Sequence, residues 1–170
     1  HEIRTPLNAI MGFVDLLEAD EFDAEERARI NGIIQTNSNA LLQLINDIID
    51  ISMIEANQLV INKQKVDFHR FLSELELHYR NNKSMKDKNL ELVCQTPDNA
   101  VKLMIETDYG RVWQVFCNLI NNAIKFTHKG SISFGYTIPC DEPHRVRCFV
   151  ADTGIGISSE NQQKLFQRFR

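Results

Sequence analysis

Two rhythms of apolar residues divide the chain. In the first stretch they fall at Ile3, Leu7, Ile10, Val14 and Leu17. In the next they fall at Ile30, Ile34, Leu41, Leu44, Ile48 and Ile51, with Asn37 taking one place in the row. Steps of four and three put one seam along each of two helices. Ile33, Ala40, Ile45 and Ile49 widen the second seam, which suits a four-helix bundle better than a two-stranded coil. One chain supplies only two of those helices. Residues 1–57 are therefore predicted to form an antiparallel hairpin that closes its bundle as a homodimer about a two-fold axis. Asn37 reads as a polar residue inside the bundle that sets register. In the acidic connection near residues 19–24, Asp23 with Glu26 three positions on predicts an N-cap with a capping box.

The pattern changes after about Asn57. Residues 60–66 are extended in character, and Asp67 predicts the cap of a helix from Phe68 to about Lys86. Short strands are predicted over residues 90–95 and 101–105, and Asp108 predicts the cap of a helix running to about Thr127. Ile132, Phe134, Tyr136 and Ile138 then alternate with small or polar residues, and Val146, Cys148 and Val150 alternate after a turn at residues 139–143. A last short helix follows Ser158. Strands mixed with helices predict an α+β sandwich over residues 58–170, with helices covering one face of a mixed sheet.

Composition narrows the classes only a little. Hydrophobic residues make up 43% and charged residues 25% of the 170, an ordinary globular balance. The net charge of −4 implies no general affinity for nucleic acid. No apolar run approaches the roughly 18 residues that cross a bilayer. Cys94, Cys117, Cys140 and Cys148 form no C-x-x-C pair and have no zinc-spaced histidines near them. His69, His78, His128 and His144 share no ligand spacing either, so each reads as a surface or packing residue.

Chemistry concentrates at the two ends. The chain opens H-E-I-R-T-P-L-N. In the seam's frame His1 faces solvent, Thr5 lies one turn on along the same face, and Pro6 cannot donate to the carbonyl of Glu2, which predicts a bend beside His1. An exposed imidazole next to a carboxylate can act as a nucleophile, with Glu2 taking its proton. A solitary surface histidine is nevertheless the commoner meaning of such spacing.

On the helix after Asp108, Val112, Phe116, Leu119, Ala123 and Phe126 make the stripe expected to pack on the sheet. Asn118, Asn122 and Lys125 fall at i, i+4 and i+7 on another face. Amide oxygens can ligate Mg²⁺ and a lysine can meet phosphate. The alternative is a solvated helix face. Further on, strand alternation aims Asp152 to the same side as Val146, Cys148 and Val150. A carboxylate there needs a partner, and a purine amino group is one candidate. Gly154 and Gly156 permit backbone paths and a close ligand approach closed to other residues, although D-x-G-x-G also occurs in plain turns.

Taken together these segments resemble the sensor histidine kinases of two-component systems. H-E-I-R-T-P-L-N resembles the phosphoacceptor box, N-L-I-N-N-A-I-K-F-T the asparagine box, and D-T-G-I-G-I the first glycine box. L-F-Q-R-F, with Phe166 and Phe169, resembles the phenylalanine box beside the ATP lid. The resemblance implies a Bergerat-type fold shared with gyrase, heat-shock chaperones and MutL repair proteins. It implies that His1 is phosphorylated from ATP, that Glu2 is its acid/base partner, and that Thr5 assists a phosphatase reaction on the regulator. It places Mg²⁺ on Asn122, Asn118 beside it on the phosphate side, and Lys125 near phosphate. It puts the adenine amino group on Asp152, and Gly154 and Gly156 around the adenine. The partner it implies is an aspartate on a response regulator receiver domain. It implies a parent protein that is bacterial, with this portion in the cytoplasm and attached to the inner membrane through segments outside these residues.

Two rivals differ in class. One is a dimeric phosphotransfer module that does not use ATP, which the intact Asn118, Asn122 and Asp152 oppose. The other is a gyrase-like or chaperone-like ATPase. It needs a carboxylate to activate water, and Cys117, Asn118 and Asn121 occupy the relevant turn with no glutamate. The family's second glycine box should follow the phenylalanine box, and residues 1–170 stop before it. The resemblance thus predicts weak or undetectable ATP-dependent labelling of His1 by these 170 residues alone. Incubation with γ-labelled ATP measures it, and full activity would refute the expectation.

Overall fold

A computed structural model describes residues 2–18, 22–97, 102–142, 144–162 and 165. The chain divides into two compact units, His1–Val60 and Ile61–Arg170.

The first unit is a helical hairpin of α1 (Arg4–Glu18) and α2 (Ala24–Glu55). α2 starts where its cap dictates. Asp23 Oδ1 accepts from the amides of Glu25 and Glu26 at 2.9 and 2.8 Å, and Glu26 Oε2 accepts the Asp23 amide at 3.3 Å. Three otherwise orphan donors are thereby satisfied, and Glu25 and Glu26 also oppose the positive end of the helix dipole. α2 ends in a Schellman motif. Asn57, at φ +52°, donates its amide to Ile54 O, and Gln58 donates to Met53 O at 2.8 Å.

In a single chain the two seams do not bury one another fully. Ile30 is buried. Ile10, Leu17, Ile34, Leu41, Leu44 and Ile51 are half-buried. Ile3, Leu7, Val14, Ile45, Ile48 and Ile49 remain exposed. The half-buried Asn37 donates its side-chain amide to Ile33 O at 2.9 Å, so one of its donors is met within its own helix.

The second unit opens with β1 (Gln64–Asp67), followed by α3 (Phe68–Arg80), α4 (Lys83–Asp87), β2 (Glu91–Gln95) and β3 (Met104–Thr107). Then come α5 (Tyr109–Phe126), β4 (Ser131–Thr137), β5 (Arg147–Asp152) and the short α6 (Ser159–Gln162). β1 and β3 pair antiparallel, while β4 lies parallel to β2 and antiparallel to β5. The helix expected to run from Phe68 to about Lys86 is broken in two. Asn82 leaves the helix and accepts the Met85 amide on its side chain at 3.2 Å, because a short amide side chain caps better than it continues a helix. The third strand starts at Met104 rather than near residue 101, and residues 98–101 lie outside the described set.

The core joins α3, α5 and the middle strand. Phe68, Phe71, Leu72 and Leu75 of α3 pack with Phe116, Ile120 and Ala123 of α5 onto Ile132, Phe134 and Tyr136 of β4. Phe68, Ile120, Ile132 and Phe134 are fully buried. Phe68 stacks on Phe71 at 5.2 Å and meets Tyr136 edge-on at 5.6 Å, the arrangements that ring quadrupoles favour. Replacing Phe134 by Ala should cost about 3–5 kcal/mol of stability in the second unit, read as a shift in its denaturant midpoint. Replacing Asp23 by Ala should cost about 1 kcal/mol in the hairpin.

Candidate functional site

α5 carries the greater part of the candidate chemistry, and each of its two ends is held by a side chain from elsewhere. Its N-cap is Asp108, whose Oδ1 accepts the Arg111 amide at 3.1 Å. Its last turn has four carbonyls that no helical amide can reach. Lys88 Nζ donates to those of Ile124, Lys125 and Thr127, the last at 3.1 Å. The Phe126 carbonyl accepts the Ile155 amide at 3.3 Å. All four are therefore met, and a cation sits at the negative end of the dipole.

The buried stripe of α5 runs through Phe116, Ile120, Ala123 and Ile124, not through all of the expected positions. Leu119 is 48% and Phe126 45% exposed, while Ile120 is fully buried. Phe116 and Ala123 are buried and Val112 packs on the core as expected, and only Leu119 and Phe126 give way, to Ile120 and Ile124, so the buried face turns by less than one residue. Period alone leaves such a choice open, because each neighbour of the face's centre fits i, i+3, i+4 spacing equally well. Leu119 and Phe126 thus join Asn118, Asn122 and Lys125 among the exposed residues of α5.

The asparagines separate by role. Asn121 Oδ1 accepts the Tyr79 hydroxyl at 3.0 Å and so belongs to the packing of α3 on α5. Burial first, and then the neighbouring Cys117 side chain, push the Tyr79 hydroxyl well above its ordinary pKa. The exposed Asn118 and Asn122 side chains have no hydrogen-bond partner among the described residues. Lys125 Nζ lies 5.2 Å from the centroid of the Phe126 ring, a cation–π distance.

β5 delivers Asp152 to the end of this helix. Asp152 pairs with Ile132 in register, on the side where Phe134 faces Val150. Val146 and Val150 pack on the core, whereas Cys148, of the same parity, is exposed on this edge strand. Asp152 Oδ1 accepts the Gly154 amide at 2.8 Å and the hydroxyl of the fully buried Thr127 at 3.5 Å. Its Oδ2 has no partner among the described residues. A carboxylate so placed offers an acceptor at the mouth of the turn while its other oxygen fixes its direction.

The glycines are not equivalent. A Cβ on Gly154 would stand 2.5 Å from Phe126 O, 2.8 Å from Asp152 Oδ1 and 2.9 Å from Thr127 Oγ1. Only glycine lets the turn approach α5 this closely. Gly156, at φ +68°, is free of neighbours but sits in the left-handed region. Thr153 closes the turn from the other side, its hydroxyl accepting the Ser131 amide at 3.0 Å. Ile155, at the tip, is 72% exposed.

At the other end of the chain, Glu2 and Ile3 form a turn and α1 is regular from Arg4. Pro6 is buried and lies within α1, which runs unbroken from Arg4 to Glu18. Glu2 and Thr5 are exposed. His1 and Phe166 lie outside the described residues, as does Phe169.

Thr127, Lys88 and the Phe126 carbonyl had no place in the sequence reading. Thr127 is the last residue of the segment that resembles the asparagine box, but its burial beside Asp152 is a tertiary contact. Lys88 lies 36 residues from Ile124, and no spacing rule connects them.

With this geometry stated, comparison with known proteins gives the class. Residues 1–57 match the family model of the His Kinase A (phospho-acceptor) domain. Residues 107–170 match that of the histidine kinase-, DNA gyrase B- and HSP90-like ATPases. A phosphoacceptor hairpin followed by that ATPase fold defines a two-part kinase core, and the chain belongs to the sensor histidine kinases. Among curated relatives it is 36% identical over 171 residues to hybrid signal transduction histidine kinase L of Dictyostelium discoideum, covering 99% of this chain and 10% of the relative. It is 35% identical over 176 residues to the signal transduction histidine-protein kinase BarA of Escherichia coli, covering 100% of this chain and 18% of BarA. It is also 35% identical over 172 residues to the autoinducer 2 sensor kinase/phosphatase LuxQ of Vibrio vulnificus, covering 99% and 20%. The chain thus spans only a tenth to a fifth of these relatives. Among solved structures, full-length ShkA in complex with AMPPNP aligns at TM-score 0.66 and 29% identity, covering 94% of this chain and 33% of that one. The kinase ThkA in complex with the response regulator TrrA aligns at 0.68 and 25%, covering 100% and 48%. The fold of the Acinetobacter baumannii kinase AdeS matches at 0.74 with 23% identity, over 98% of this chain and 78% of that one. Among the described residues no helix is long and apolar enough to cross a membrane.

The Gly154 contact carries a direct consequence. Gly154→Ala should force the turn off α5 and abolish tight binding of a fluorescent ATP analogue, with a loss of stability of about 1–3 kcal/mol from the overpacked site. Titration of the analogue against wild type and variant checks this. Unchanged affinity would mean that the close approach has no part in holding nucleotide.

Proposed function

We propose that the chain is the kinase core of a dimeric sensor protein that phosphorylates His1 from ATP and passes the phosphoryl group to an aspartate of a response regulator. The observation that carries this reading is the pairing of two amides, Asn118 and Asn122, with a glycine turn that presents one oxygen of Asp152, none of these three groups having a partner among the described residues. Such a row is wasteful on a purely structural helix. It suits a ligand with an amino group at one end and phosphates at the other.

In the first step an imidazole nitrogen of His1 attacks the γ-phosphorus. The bond from that phosphorus to the β–γ bridging oxygen breaks, an N–P bond forms, and ADP leaves. Glu2 takes the imidazole proton. Catalysis of this kind is mostly positioning and neutralisation of charge. Asp152 Oδ2 orients the base by accepting from its amino group. Asn118 and Asn122 face the phosphate side and Lys125 answers their charge. The donor set fits Mg²⁺, since a neutral amide oxygen is a hard ligand and this ion ordinarily arrives with phosphate oxygens. Asn122 would hold it, and it would neutralise charge on the phosphates. Phe166 would border the lid.

Residues 1–57 as dimerisation and phosphotransfer domain and 58–170 as ATP-binding domain complete the proposal. The exposed seam of Ile3, Leu7, Val14, Ile45, Ile48 and Ile49 supports the homodimer. The regulator partner is supported by the ThkA complex with TrrA. Phosphatase assistance by Thr5 is supported by the kinase/phosphatase name of LuxQ. We place this portion on the cytoplasmic side of the membrane that anchors the parent. In the full-length protein with ATP and Mg²⁺, His1→Gln should abolish acid-labile labelling, and Asp152→Asn should weaken nucleotide binding while leaving the fold intact. Retained labelling in His1→Gln would overturn the assignment.

A further inference from the structure

Asp108 differs from a simple helix cap. While Oδ1 holds the Arg111 amide, Oδ2 accepts the backbone amide of Asn62 at 2.9 Å, 46 residues earlier in sequence. Asn62 belongs to the stretch that leads from the end of α2 to β1. Val60 is 70% and Ile61 46% exposed, so side-chain burial does not hold the two residues next to Asn62 in place. One carboxylate therefore ties the linker to the first turn of the helix that carries Asn118 and Asn122. The two backbone bonds also hold the Asp108 carboxyl below the usual carboxylate range, with the Arg111 amide the larger cause.

We infer that Asp108 is a positioning residue for phosphoryl transfer, setting where the tether from the histidine-bearing hairpin begins on the nucleotide-bearing helix. The inference rests on the proposed kinase reading. Between the Schellman end of α2 and the clip, the free chain is Leu59–Ile61, three residues that reach at most about 11 Å. Without the clip, the next fixed point is β1 at Gln64, and five free residues reach about 17 Å and lose a defined direction. The chance that the two units meet in a transfer geometry depends on the length and stiffness of that tether. Nucleotide binding does not depend on it, because the groups proposed to bind nucleotide all lie on α5, β5 and the segments that follow.

Two substitutions separate the clip from the cap. Asp108→Asn keeps an oxygen for the Arg111 amide, and Asn caps helices as well as Asp, but it turns a donor toward the Asn62 amide. Asn62→Pro removes that amide and leaves Asp108 untouched. In the full-length protein, both should lower the kcat of His1 labelling by about tenfold or more, since a displacement near 1 Å can cost on the order of a hundredfold. KM for ATP and the affinity for an ATP analogue should stay at the wild-type value. Unchanged kcat in both variants would overturn the inference while leaving the kinase reading intact. A parallel loss of nucleotide affinity would overturn it by showing that the carboxylate serves only the fold of α5. If the wild-type protein fails to label His1, the kinase reading itself falls, and this inference with it.

Discussion

The second unit depends on how closely the turn after β5 approaches the C-terminal end of α5. Gly154 has no room for a Cβ because the Phe126 carbonyl, the Asp152 carboxylate and the Thr127 hydroxyl surround it. That contact does three things at once. It satisfies a carbonyl at the helix end through the Ile155 amide, it fixes the direction of Asp152, and it places the turn at the same end of the unit as Lys125. A single extra methyl group would undo all three, since neither a backbone carbonyl nor a strand end can move aside cheaply in a packed interior.

Rigidity at α5 is what makes its exposed amides useful. Asp108 caps one end and Lys88 the other, while Phe116, Ile120 and Ala123 lock the buried face onto Phe134 and its neighbours. Side chains on such a helix can be aimed without being bonded. Asn121 is spent on Tyr79, and Asn118 and Asn122, on neighbouring turns, are spent on nothing within the described residues. A site meant to surround a small, highly charged ligand gains from having its groups held in advance, because the ordering entropy is met in folding. The hairpin follows a different logic. Its apolar seam is only partly covered within one chain, so its stability is tied to association.

Much of this was legible in the residues themselves. Local rules located the caps at Asp23, Asp67 and Asp108, the alternating strands β4 and β5, and the two helices of the hairpin, because each rests on contacts within a few positions. The boxes around Asn118, Asn122, Asp152 and Gly154 were legible because their residue types are costly in ordinary helices and turns. Some details were not. The break at Asn82 turned on competition between capping and continuation. On α5 the expected face keeps Val112, Phe116 and Ala123 but takes Ile120 and Ile124 in place of Leu119 and Phe126, since a periodic pattern gives the width of a stripe more securely than its centre.

The two helices of the hairpin, the alternating strands β4 and β5 and the caps that open α2, α3 and α5 follow from the sequence alone, since they depend on period, propensity and the donors and acceptors each side chain owns. Which asparagine is structural and which is free, why Gly154 tolerates no substitute, and that Lys88 and Asn62 reach the two ends of one helix were decided only by the tertiary structure. Those facts depend on groups tens of residues apart being brought within hydrogen-bonding distance, and close approach in space leaves no mark in the local spacing of a chain.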